Sequence, residues 1–144
     1  MENDTKGSLY SYQAPVSIKL ALIWTSVMFL YIYNDYFSLY LPGTVDGMIA
    51  GKMGPLGPAS PTTLLAVALM LAVPALMIAL SVLLPPNLSR TLNIVFGLLY
   101  TVIEALTFIG TAPFYKVLVI LEVVLTALVV WYSLRWRRSQ PPSQ

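Results

Sequence analysis

Neither cysteine nor histidine occurs anywhere in the 144 residues. Without thiols there is no disulfide, no thiolate nucleophile and no cysteine-held iron–sulfur cluster, and without imidazole the usual haem and zinc ligands are missing. Thiol usage therefore carries no information about redox compartment. Charge is also scarce. Asp, Glu, Lys and Arg make up 10% of the chain, where a soluble domain usually carries about a quarter. The net charge of +2 is too small to hold a polyanion, and no nucleic-acid partner is expected. What is abundant is apolar sequence, 58% of the residues, with a mean hydropathy of +0.77. A water-soluble core cannot absorb that much without leaving large apolar patches on the surface. A lipid bilayer can, and the composition points to an integral membrane protein.

Four long apolar runs follow one another: about 17–40, ended by Leu41-Pro42-Gly43; about 61–84, closed by Pro85-Pro86; about 90–110; and about 115–136. Each has roughly 20 residues or more, enough at about 1.5 Å per residue to cross a hydrocarbon layer of about 30 Å. In lipid the backbone must satisfy its own hydrogen bonds, so helices are predicted rather than strands. The predicted fold is an all-α, integral membrane four-helix bundle over 17–136. Residues 1–16 form a polar tail, and residues 137–144 a tail that is first basic and then polar. No charged stretch leads into a short apolar segment and a small-residue cleavage site, so no cleaved signal peptide is expected.

Basic residues set the expected orientation. An even number of crossings places the N-terminus, the second connection and the C-terminus on one side. That side carries Lys6, Lys19, Arg90, Arg135, Arg137 and Arg138, against Lys52 and Lys116 on the other. The positive-inside rule then puts both termini in the cytoplasm, in a multi-pass protein of the cytoplasmic membrane. Trp131, Tyr132 and Trp136 are expected at the inner interface, and Tyr36, Tyr40 and Tyr115 at the outer one.

The outer connection, 41–60, holds five of the eight glycines together with Pro42, Pro55 and Pro58. It also contains Val45, Met48, Ile49, Met53 and Leu56, apolar for a solvated loop. The expectation is a compact cap with Met48, Ile49 and Met53 buried against the helix ends. Its Gly47-to-Lys52 stretch is one residue short of a Walker phosphate loop and is followed by Met53, not Ser or Thr.

The residues able to carry chemistry are the acids within the runs: Asp35, Glu104 and Glu122. Ionisable groups inside a membrane span are costly and mark a functional site or a specific pairing. Counted from the outer helix ends, all three fall roughly 7–10 Å deep. Helical spacing also groups them with other polar residues. Asn93, Gly97, Tyr100, Glu104 and Thr107 share one face of the third run, and Trp24, Met28, Tyr31, Asp35 and Ser38 one face of the first. Glu122, Thr126 and Ser133 share a face of the fourth. The second run adds Met70, Pro74, Met77 and Ser81, with Pro74 removing a backbone hydrogen bond mid-span. Facing inward, these stripes enclose an acidic, tyrosine-rich pocket with Asp35, Glu104 and Glu122 as anions. Asn34, Tyr31 and Tyr100 are then its hydrogen-bonding partners. Three ionised carboxylates at close range repel one another, so either a cation or a proton compensates them.

The segments SVMFLYIYNDYFSLYLPG (26–43), GKMGPLGPAS (51–60), LNIVFGLLYTVIEAL (92–106) and EVVLTALVVWYSLRW (122–136) resemble a family of small bacterial and archaeal membrane proteins of unknown function. In helix number and size the layout also resembles the DoxX-like four-helix membrane proteins. The resemblance implies the four-helix fold and supplies neither an activity nor site residues.

The leading functional expectation is binding or conduction of a small solute or cation through the outward-facing acidic pocket. The alternative is an accessory or structural subunit, assembled as a homo-oligomer or within a larger membrane complex. A membrane enzyme ranks third, because His and Cys are missing and no nucleophile–base pair stands out. No cofactor and no metal site are expected, and the surrounding partner is the lipid bilayer.

Overall fold

The structure is a computed structural model that describes residues 13–109 and 113–136. The tails, with Lys6, Arg137 and Arg138, and residues 110–112 lie outside the described residues. The fold is all-α, and among the described residues there is no strand. Its elements are α1 (Val16–Ser38), α2 (Thr44–Ile49), a 3-10 turn (Gly54–Leu56), α3 (Pro61–Leu83), α4 (Pro86–Thr107) and α5 (Pro113–Arg135). Four of these helices are long and apolar enough to cross a membrane: α1, α3, α4 and α5.

Local sequence explains the ends. Ser60 caps α3 by accepting from Thr63 N at 3.1 Å, with Pro61 in the first turn, where a missing N–H costs nothing. Leu84 is extended, as a residue before proline tends to be, and this stops α3. Pro86 then opens α4 directly, so that helix starts four residues ahead of the apolar run at Arg90. The extra turn puts Ser89 and Arg90 inside the helix. Arg90 Nε donates to Ser133 O at 3.0 Å, at the C-terminal end of α5, where a cation complements the exposed carbonyls.

The four long helices form a ring. α1 packs against α3 and α5, α4 packs against the same two, and α1 meets α4 across the diagonal. The interior is more polar than the exterior. Ser81, Ser89, Asn93, Glu104, Glu122, Thr126 and Ser133 are buried, while Leu22, Leu65, Leu83 and Val102 are exposed. This reverses the pattern of a soluble bundle and suits a bilayer, where burying apolar groups does not drive helices together. Packing and interhelical hydrogen bonds do that work.

Two features show it. Trp24 Nε1 on α1 donates to Asn93 Oδ1 on α4 at 2.8 Å. Asn93 Nδ2 donates to Ser89 O at 2.9 Å and to Ser81 Oγ of α3 at 3.1 Å, so one amide ties three helices. One turn further along the same face of α4, Gly97 lets α5 approach closely. A Cβ built there would lie 2.9 Å from Val130 Cγ2 and 3.2 Å from Val129 Cγ1.

The connection after α1 is folded rather than loose. Lys52 N bonds Gly47 O at 2.9 Å, Met53 N bonds Gly57 O at 2.7 Å and Ala59 N bonds Gly51 O at 2.8 Å. Gly43 (φ +81°) and Gly57 (φ +79°) supply left-handed conformations that other residues rarely adopt. The expected burial of its apolar side chains does not occur for Met48 and Ile49, which are 57% and 80% exposed, and Met53 is only half-buried. The reason is local. The glycine turns close the backbone on itself, and α2 packs chiefly on the 3-10 turn rather than on the helix ends.

Candidate functional site

Pro74 interrupts α3 one turn after Met70. Having no N–H, it leaves the Met70 carbonyl without its helical donor. The Tyr100 hydroxyl of α4 donates to that carbonyl instead, and Tyr100 packs edge-on against Trp24, ring centroids 5.9 Å apart. This contact fixes the floor of a cavity of about 300 Å³.

The cavity lies at the end of the bundle nearest the 39–60 connection, which contributes Pro55 to its wall. Tyr31, Asn34 and Asp35 of α1, Tyr100 and Glu104 of α4, and Glu122 of α5 all line it. All six residues singled out from sequence thus share one space. Met70, Leu71, Ile103 and Val119 supply apolar wall. No lysine or arginine lines the cavity among the described residues.

The three acids occupy different settings. Asp35 is exposed, three residues from the end of α1 at Ser38, and forms the rim. Glu104 is 3% exposed and fully engaged. Tyr31 donates to its Oε1, and Thr126 Oγ1 lies 2.8 Å from its Oε2. Thr126 Oγ1 is also 2.9 Å from Glu122 O, the i−4 carbonyl. Its single proton serves one acceptor at a time. The arrangement suits either an ionised Glu104 that accepts that proton or a protonated Glu104 that donates to Thr126. Glu122 is 2% exposed and its Oε1 is buried without a hydrogen-bond partner. It lies nine residues from Pro113, about 13 Å along the helix. Asp35 and Glu104 each lie three residues from the nearer end of their helices and Glu122 nine, and all three line the one cavity.

Two further residues belong to the site, Thr126 and Tyr115. Thr126 was visible as the i+4 neighbour of Glu122 on one face, but its hold on Glu104 depends on how α4 and α5 pack. Tyr115, expected at the outer interface, is half-buried and lines the cavity, with its hydroxyl donating to Asn34 O at 3.1 Å. The Asn34 side-chain Oδ1 is buried without a hydrogen-bond partner. Asn93 shares the α4 stripe with Glu104, yet its bonds all go to Trp24, Ser81 and Ser89, so it is a structural tie.

Among the described residues, no group of three His, Cys, Asp or Glu side chains is placed to hold a metal ion. The chemistry available is hydrogen bonding and charge in a half-apolar recess. No curated protein and no solved structure matches the chain. A family of unknown function, DUF6326, matches residues 8–142, nearly the whole sequence, and the chain belongs to that family.

Proposed function

We propose that this protein is a multi-pass component of the cytoplasmic membrane, with both termini inside, that binds or conducts a small cationic solute through the acidic cavity. One observation carries the reading. Three carboxylates from three helices line a single cavity, and no basic side chain lines it among the described residues. Buried anions without cations attract a compensating positive charge from outside the chain. The cavity falls at the lower end of the size range of small-molecule pockets, about 300–1,000 Å³, and shares their mix of apolar wall and few polar groups.

The test is a thermal-unfolding screen of detergent-purified protein against Na⁺, K⁺, Mg²⁺, Ca²⁺ and small ammonium salts. At least one cation should raise the unfolding temperature saturably, and the rise should vanish in the double variant Glu104→Gln/Glu122→Gln. A rise that persists in that variant, or none with any cation, removes the reading.

Orientation rests on the six-to-two division of basic residues, which favours a cytoplasmic second connection. The natural chain has no cysteine, so single cysteines can be read without background. Ile49→Cys should react with an impermeant thiol reagent on intact cells, and Asn87→Cys only after the membrane is opened. The opposite pattern would invert the topology.

The subunit reading keeps one supporting observation. Met48, Ile49 and Leu56 are exposed beyond the ends of the long helices, where an apolar surface fits a partner. Co-purification of a stoichiometric partner in mild detergent would favour it.

A further inference from the structure

We propose that the ligand of this cavity is an organic ammonium that still carries N–H hydrogens, a primary or secondary amine with an apolar body, and that Glu122 is its counter-ion. The proposal rests on the cation-binding reading above and deepens it.

The assignment comes from counting hydrogen-bond partners. Glu104 is the obvious anion, but both its oxygens are engaged, by Tyr31 and by Thr126. Two other acceptors in the same cavity wall have no donor: Glu122 Oε1 and Asn34 Oδ1. Buried acceptors in native proteins nearly always find a donor, so unanswered ones call for a group from outside the chain. Glu122 is 98% covered, which makes an unmatched carboxylate oxygen there costly. Glu122 lines the cavity, and a partial rotation about its terminal torsion, which is broad, is enough to bring Oε1 to the cavity wall. Two acceptors on neighbouring helices ask for a cation with at least two N–H bonds. A quaternary ammonium has none.

The walls decide against an inorganic ion. A hard cation such as Ca²⁺ wants about six to eight oxygen ligands, and the described acidic side chains do not gather as a metal-holding trio. Met70, Leu71, Ile103 and Val119 cannot replace a hydration shell, but they can cover a hydrocarbon body. In this arrangement Glu104 is a positioning residue. Both its oxygens are held, by Tyr31 and Thr126, and it ties α1, α4 and α5 together around the ligand.

The probes are benzylammonium, its trimethylated analogue benzyltrimethylammonium, and NaCl or CaCl₂, measured by calorimetry on the full chain in detergent. Benzylammonium should bind saturably, and the trimethylated form about tenfold or more weaker, the cost of at least one lost charge-assisted hydrogen bond. Glu122→Gln should weaken benzylammonium by about tenfold or more, and Asn34→Leu by a few-fold, while Glu104→Gln should weaken it less than Glu122→Gln. Gel filtration and circular dichroism establish that each variant is folded, and Asn34→Leu carries the test if Glu122→Gln is not. Equal or tighter binding of the trimethylated cation, or displacement of benzylammonium by Na⁺ or Ca²⁺, overturns the N–H assignment and leaves the acidic-cavity reading standing. A larger loss in Glu104→Gln than in Glu122→Gln overturns the choice of counter-ion. If none of the cations binds, both proposals fall.

Discussion

Gly97→Leu should be the most damaging single change in the bundle, because the helix–helix approach at that point has no room for a side chain. Even one added carbon would meet Val130 Cγ2 at 2.9 Å and Val129 Cγ1 at 3.2 Å, with Thr126 O at 3.5 Å behind them. Valine is stiff about χ1 and cannot swing its methyls aside freely. Overpacking of this kind costs about 1–3 kcal/mol and occasionally more. In lipid, where close backbone approach is itself what holds helices together, the upper end is expected. The damage should reach the cavity. Thr126 bonds both Glu104 and Thr101 across the same α4–α5 interface, and pushing α5 outward pulls it away from them. Gly97→Ala should be milder, and Val130→Ala should relieve part of its cost. Denaturant or thermal unfolding in detergent reads these differences directly. A Gly97→Leu protein as stable as the natural one would show that α4 and α5 do not meet as described.

Tyr100→Phe should destabilise the protein by about 1–2 kcal/mol, the cost of leaving a buried carbonyl unanswered, and by less when Pro74 is also replaced. The reason is specific. Pro74 withholds the backbone N–H that Met70 O would normally receive, and the Tyr100 hydroxyl fills the gap. Pro74→Ala restores an N–H at the right place in α3, so the hydroxyl becomes redundant and Tyr100→Phe should cost little in that background. A double-mutant cycle of unfolding free energies isolates the coupling. Measured interhelical hydrogen bonds in membrane proteins average about 0.6 kcal/mol and reach about 1.7 kcal/mol, and a coupling at the top of that range is expected here. Strict additivity of the two substitutions would mean that the hydroxyl does not serve that carbonyl. Because Tyr100 also lines the cavity, the same cycle repeated with benzylammonium present separates its structural part from any part in binding.

That the chain forms four helices long and apolar enough to cross a membrane was legible from composition and apolar run length alone. So was most of each inward face, although Asp35, Met70 and Thr107 on those faces are exposed. Of the α4 stripe Asn93, Gly97, Tyr100, Glu104 and Thr107, the first four are buried, joined by Ser89 at the start of the helix, while Thr107 is exposed. These features are what a bilayer would impose on each segment by itself: polar groups on a spanning helix are driven inward, and a period of 3.6 states which groups turn together. The proline pair at 85–86 was read as a stop for α3, which it is. Its second role, opening α4 at once, follows from proline being tolerated in a first turn.

Tertiary structure decided the rest. Sequence spacing treats each helix separately, whereas hydrogen-bond partners depend on how helices rotate and slide against one another. Asn93 and Glu104 sit on one stripe and look equivalent, yet packing gives Asn93 a complete set of partners within the scaffold and sends Glu104 to the cavity, where Tyr31 and Thr126 hold it. Asp35 and Glu104 lie three residues from their helix ends and Glu122 nine, and all three line one space. Which acid keeps an unanswered oxygen was likewise invisible. It is Glu122, because Thr126 spends its one proton on the carboxylate of α4 or on a backbone carbonyl and has none to spare. The apolar residues of the 41–60 connection promised a buried cap, but glycine turns closed that segment on itself and left Met48 and Ile49 outside. Sequence alone thus determined that the chain is a four-helix bundle of membrane type with acids turned inward, because bilayer thickness and backbone hydrogen bonding act on each segment by itself. Only the packed structure decided which acid is satisfied and which is left open, because that depends on donors supplied by other helices.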